Sequence, residues 1–429
     1  MAHFGFMTLN VMGHLYPMSA LAKHLKGRGH RVTFFAFADA EAFLRETGLE
    51  CAVFGREGFP LGYTRRAVDT LSRMKGMEGF RYTVETLCKE IGAQLDELPE
   101  AVKAAGVEAL VIDQFLMGGS TVADYLQTPY MHVANALVGN LEPDVPPISF
   151  GWGNESGLIA MLRNRFGHAV VRKIFRPVRE TLNERRRAWG LPLYEEFMNE
   201  RFGSGPQISQ EPPSFEFPRR ELPRNFSYVG PLQDRSSRAE VAFPWERIDG
   251  RPLIYASMGT LQNGLAWVFE AILKGCTGVD AQLVLSTGGN LDPAQFSSLP
   301  DGAIVVKYAP QMDLLKRATL CITHGGLNTI LESLARGVPL VVVPMTNDQP
   351  AAGVRVAWTG VGRVVPVKML KPDSLRGAVN EVMSKATYRE NARRLQTEIA
   401  GMDSLERAGE IVESVLRIDS SRVGAIKGA

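Results

Sequence analysis

Short apolar runs alternate with stretches of helical periodicity along almost the whole chain. HFGFMT, HRVTFFAF and EALVID read as strands in the first half; PLIYASMG, AQLVLSTG, AIVVKYA, TLCITH and VPLVVVP do so in the second. The second-half runs are nearly continuously apolar, the pattern of strands covered on both faces. Between the first two runs, PMSALAKHLKGRG places Met18, Leu21, Ala22 and Leu25 on one stripe. Pro17 falls near its first turn and Gly27 and Gly29 end it, which predicts an amphipathic helix. Strand, helix, strand in repetition predicts parallel sheets wrapped by helices. A Pro-, Ser- and Arg-rich stretch puts a linker near residues 218–235. The expected architecture is α/β: two doubly wound parallel-sheet halves facing across a cleft, over residues 1–220 and 221–404. A terminal helix and tail, 405–429, is expected to pack back on the first half. Ligands of such sheets bind at the carboxyl ends of the strands.

Composition narrows the class. The 429 residues exceed what one core usually supports. With 45% hydrophobic and 22% charged residues the chain is globular in type. A net charge of +2 gives no general reason to expect nucleic acid as a partner. Cys51, Cys88, Cys276 and Cys321 are scattered without a CxxC pair, so they read as reduced buried thiols. The N-terminus lacks the basic region of a signal peptide, and no apolar run approaches the roughly 20 residues of a spanning helix. The expected location is cytoplasmic.

The stretch CITHGGLNTILESLARGVPLVVVPMTNDQ, residues 321–349, carries the densest chemistry. It reads as a strand running into a helix whose buried stripe is Ile330, Leu331, Leu334 and Ala335. Gly325 and Gly326 let a ligand approach the backbone. The first amides of the helix lack internal partners and sit at the positive end of its dipole, a ready seat for phosphate. His324, Asn328 and Thr329 add side-chain donors there. Glu332 would repel phosphate, but it suits the two hydroxyls of a ribose, so this helix proposes a nucleotide. Asp348 and Gln349, one strand later, suit the hydroxyls of a sugar.

These residues, with YAPQMDLL upstream, resemble the donor-binding signature of the inverting UDP-dependent glycosyltransferases, a family of GT-B fold (family 1) that includes plant secondary-product, bacterial macrolide and carotenoid transferases. The match spans Tyr308 to Gln349, and the general layout matches across nearly the whole chain. The resemblance implies that Tyr308 stacks on uracil and that the backbone of Ala309 reads the base edge, with Gln311 in the same donor motif. It gives His324, Gly326, Asn328 and Thr329 to the diphosphate, with a further contact from Thr260 in SMGT. Glu332 falls to the ribose, and Asp348 and Gln349 to the sugar, with glucose the sugar that Gln349 suits. Many members carry Trp where this chain has Tyr308, and plant members often carry Trp at Leu327.

His14, in TLNVMGHLYP, is placed in the loop after the first strand, at a carboxyl edge. An alcohol that attacks a sugar must lose its proton, and imidazole suits that task at neutral pH. A carboxylate is then needed behind the imidazole. Asp113, closing EALVID, is the candidate, and the resemblance supports both residues. The implied reaction is one in-line displacement at the anomeric carbon, giving a β-glycoside from an α-linked UDP-sugar. No metal pattern is present and none is expected, nor any other cofactor; helix amides, His324 and hydroxyls would stabilise the departing diphosphate. The alternatives are a nucleotide-sugar epimerase and a non-catalytic nucleotide-sugar-binding protein.

The expected acceptor is a small lipophilic or phenolic alcohol, held by loops in FGREGFPLGYTRRAV and ANALVGNLEPDVPPISFGWG. In LIAMLRNRFGHAVVRKIFRPVRETLNERRRAWG, cations from Arg163 to Arg187 interleave with Phe166, Val170, Ile174, Phe175 and Val178. Two readings stand: amphipathic helices with solvated Arg faces, or a face that rests peripherally on anionic lipid. Neither the acceptor's identity nor the oligomeric state follows from the sequence.

Overall fold

The computed structural model describes residues 1–74, 77–238, 240–259 and 264–426. Two wholly parallel sheets form its frame. The first runs in the order β3-β2-β1-β4-β5-β6-β7. Its strands are β1 (His3–Met7), β2 (Arg31–Ala36), β3 (Glu50–Val53), β4 (Ala109–Asp113), β5 (Tyr130–Ala134), β6 (Gln207–Ser209) and β7 (Phe226–Tyr228). The second runs β10-β9-β8-β11-β12-β13. It is built from β8 (Leu253–Ser257), β9 (Gln282–Ser286), β10 (Ile304–Val306), β11 (Ala318–Thr323), β12 (Leu340–Val342) and β13 (Gly362–Val364). Every run read as a strand from its apolar pattern is one. The first sheet continues past residue 220, through β7, before the chain crosses to the second. The short strands β6 and β7 have three residues each, too few to show a period.

Six helices matter for the site: α1 (Met12–Gly27), α2 (Leu158–Ile174), α3 (Arg176–Ala188), α4 (Leu327–Leu334), α5 (Gln349–Trp358) and α6 (Ser404–Ile426). The predicted stripe of α1 is fully buried against β1 and β2 in a core that includes Phe4, Phe6, Val32 and Phe34. Helix α6 returns to that same core through Ala408, Val412 and Val415, and Glu413 pairs with Arg28 at 2.8 Å and His30 at 2.9 Å. The two crossings between the sheets lie side by side: a side chain at Gly230 would stand 2.5 Å from the Ser404 hydroxyl.

One expectation is corrected. Helix α1 begins at Met12, so Pro17 lies inside it and His14 sits in its first turn, not in a preceding loop. Proline removes only the amide that would reach back to the Gly13 carbonyl. That carbonyl finds another donor, the side-chain amide of Asn328 from the second sheet's helix α4. The helix therefore starts earlier than its proline suggests.

In both sheets the strand order reverses once, between β1 and β4 and between β8 and β11. The crevice at such a reversal is where doubly wound sheets bind ligands. His14 and Asp113 follow β1 and end β4, while Gly259 and His324 follow β8 and β11.

Candidate active site

Asp113 is fully buried and its carboxylate is held from several directions. Its Oδ1 accepts the Phe115 amide at 2.9 Å. Its Oδ2 accepts from Thr8 Oγ1 at 3.0 Å, Asn135 Nδ2 at 2.7 Å and His14 Nδ1 at 2.6 Å. Burial pushes the Asp113 pKa up, but the His14 charge and these donors outweigh it and hold the group below the usual carboxylate range. An ionised Asp113 is acceptor-only, so Nδ1 of His14 carries a proton, and in the neutral ring Nε2 keeps its lone pair. Burial pulls the imidazole down; the charge and hydrogen bond of Asp113, then the charge of Asp348, raise it above its usual value. His14 keeps 16% of its side chain exposed.

Asp348 belongs to the second sheet's side of the cleft, so its influence on His14 spans the two halves. Burial raises its own pKa, opposed by His14 and by the Leu137 amide. Gln349 opens α5, and its Oε1 accepts the Met345 and Thr346 amides at 2.9 and 3.0 Å. That fixes the side chain with its amide nitrogen left to donate.

His324 is boxed between two glycines. A side chain at Gly259 would stand 2.6 Å from its Cε1, and one at Gly326 would stand 2.7 Å from its Nε2. Burial lowers its pKa to about 4, with a hydrogen bond to the Ser257 backbone opposing, so the ring is neutral near pH 7. Gly325, at φ +96°, would drive a Cβ to 2.9 Å from Val342. Thr260 lies outside the described residues.

Glu332 is 1% exposed and already engaged. Gln311 Nε2 donates to its Oε2 at 2.7 Å and to Thr329 Oγ1 at 3.4 Å, while Tyr255 donates to Gln311 Oε1 at 3.1 Å. Gln311 thus braces Thr329 and Glu332 from beneath. The other Glu332 oxygen accepts Arg238, from the crossing between sheets. The Arg238 guanidinium also lies 4.5 Å from the centre of the Tyr16 ring. Tyr308 is half exposed at the cleft edge, and Ala309 follows it. Among the described residues, no three His, Cys, Asp or Glu side chains converge as a metal set.

Sequence reasoning missed Thr8, Asn135, Arg238 and Tyr16. Thr8 and Asn135 each follow directly on a strand's carboxyl end, a signal that was readable. Arg238 lies in a linker with no periodicity, so nothing local marked it.

Residues 270–416 match the family described as the C-terminal domain of erythromycin biosynthesis protein CIII-like proteins. The zeaxanthin glucosyltransferase of Pantoea ananas is 28% identical over 97% of this chain and 96% of its own length. The 4'-demethylrebeccamycin synthase of Lentzea aerocolonigenes is 25% identical over 94% and 97%. Among solved structures, the glycotransferase of kitacinnamycin aligns with TM-score 0.75 at 21% identity, over 96% of this chain and 98% of that one. Two parallel-sheet domains with facing switch points define the class: this is an enzyme of the GT-B architecture. Within that class, the chain resembles family 1 glycosyltransferases, and its curated relatives are sugar transferases.

Proposed function

We propose that this enzyme transfers glucose from UDP-glucose to a hydroxyl of a small lipophilic or aromatic acceptor, with inversion. His14 Nε2 takes the acceptor's proton as its oxygen forms the bond to the anomeric carbon. The bond from that carbon to the diphosphate oxygen breaks on the opposite side, and UDP leaves with the electron pair. Asp113 holds Nδ1–H and balances the imidazolium that results. The amides at the start of α4, with His324 and Thr329, take up the charge gathering on the diphosphate. Asn328 joins them if it leaves Gly13. Asp348 and the Gln349 amide orient the sugar, Glu332 the ribose, and Tyr308 the base.

The observation that carries this reading is the His14–Asp113 hydrogen bond of 2.6 Å, placed where the charge of Asp348 on the opposite domain reaches the same imidazole. The zeaxanthin relative supports glucose as the sugar and a lipophilic alcohol as acceptor.

The test is incubation with UDP-glucose, dTDP-glucose and a panel of phenols, sterols and hydroxycarotenoids, read by mass spectrometry. A new glycoside formed from UDP-glucose is expected. An altered free nucleotide sugar would point to epimerisation, and binding without turnover to a nucleotide-sugar sensor. His14→Ala should keep UDP affinity and lose about 10²–10⁴-fold in transfer. Near-normal turnover in that variant refutes the base assignment.

A further inference from the structure

Helix α2 buries one face through Ala160, Asn164, Gly167, His168 and Val171 and leaves the other uncovered. On the open face Leu158, Ile159, Leu162 and Phe166 are 66%, 86%, 55% and 68% exposed. These positions lie within two turns, so they form one contiguous apolar stripe, unlike the scattered exposed residues of an ordinary surface. Arg165 flanks that stripe between Leu162 and Phe166, and Arg172 and Lys173 continue the face towards the C-terminal end of α2. Arg163, Arg172 and Arg176 pair with Glu155, Glu196 and Glu180, whereas Arg165 and Lys173 have no acidic partner among the described residues. Residues 158–188 contain nine Arg and Lys and two Glu, a net of +7 in a chain whose total is +2. Arg163, Arg172, Arg185 and Arg186 pair with Glu155, Glu196, Asp96 and Asp124 from outside that stretch, which lowers +7 by four to a net of +3.

We infer that this face docks on an anionic lipid bilayer. The apolar half of α2 enters the boundary between headgroups and acyl chains, and its basic half stays at the phosphates. A second copy of the chain fits poorly, because a symmetric contact sets the same positive face against itself. Nucleic acid fits poorly too, because exposed Leu, Ile and Phe gain nothing against a phosphodiester backbone. The segment leading into α2 lies against the donor side of the cleft: a side chain at Gly151 would stand 3.0 Å from Pro350, next to Gln349. Docking through α2 would therefore bring the mouth of the cleft close to the lipid surface.

The test is co-sedimentation of the whole protein with phosphatidylcholine vesicles, with or without phosphatidylglycerol. Binding to the anionic vesicles at low salt, weakened by added salt, is expected. Leu162→Ser/Phe166→Ser and Arg165→Glu/Lys173→Glu should each weaken it at least about tenfold. All four residues are exposed, so far-UV circular dichroism and the melting temperature should not change. Three results overturn the inference: no binding at low salt, equal binding to both vesicles, or binding untouched by both double variants. So does a dimer in analytical ultracentrifugation that Leu162→Ser/Phe166→Ser abolishes, which would assign the face to a second copy.

Discussion

A buried imidazole would ordinarily lose basicity, and His14 gains it because Asp113 and then Asp348 outweigh the cost of burial. In the proposed mechanism the neutral ring is the active form. The rate then falls as pH drops through the raised pKa of His14. Asp113→Asn removes the main opposing charge, so burial pulls the pKa down and the acid limb of kcat/KM moves to lower pH. The plateau itself should drop about 10²–10⁴-fold, because the tautomer is no longer fixed. A pH–rate profile of the variant checks both effects, and an unmoved acid limb would separate Asp113 from the titrating group. The residues around the pair were partly legible. His14 and Asp113 stood out because each lies beside a strand's carboxyl end. Thr8 and Asn135 occupy equivalent positions, but nothing in a linear sequence says that their donors meet one carboxylate oxygen.

At the level of elements, the crossing between the sheets reaches helix α4. Arg238 bonds Glu332, the residue assigned to the ribose, and rests on Tyr16 of α1. A ribose that uses Glu332 must displace Arg238 from it. Arg238→Ala should therefore tighten UDP binding by about three- to tenfold, roughly the net worth of one ordinary hydrogen bond. Isothermal titration calorimetry checks this; weaker binding would instead make Arg238 a ligand of the diphosphate. Helix α1 teaches a related lesson. Its proline marks a start by local rules, yet the helix begins five residues earlier, with the Gly13 carbonyl satisfied from the opposite domain.

For the whole molecule, the two halves are joined by a buried ion pair as well as by the chain. Arg355 of α5 donates to Glu216, which follows β6, from Nη2 at 2.6 Å and Nε at 3.2 Å. Its guanidinium also lies 4.2 Å from the centre of the Phe217 ring. Burial drives the Glu216 pKa up, and Arg355 with Arg219 brings it below the usual range. Arg355→Met leaves that carboxylate with Arg219 as its remaining cation at 3.7 Å. The variant should lose about 3–5 kcal/mol in denaturant unfolding. The double variant Glu216→Met/Arg355→Met should recover part of it, because the buried carboxylate and the Arg355 cation go together, while Arg219 keeps its bonds to the Asn140 and Val138 carbonyls at 2.8 and 3.0 Å.

The sequence by itself determined the alternation of strand and helix, and with it two parallel sheets and the ends of strands where chemistry collects. It also determined helix α4, since a glycine pair, a short polar cluster and an apolar stripe are local features. Only the tertiary structure decided which of those ends face each other. The His14–Asp113 bond, the reach of Asp348 to His14, the Arg238–Glu332 contact and the Glu216–Arg355 pair join residues about a hundred or more positions apart. Their geometry depends on how two sheets pack, and no period or propensity along the chain encodes that distance.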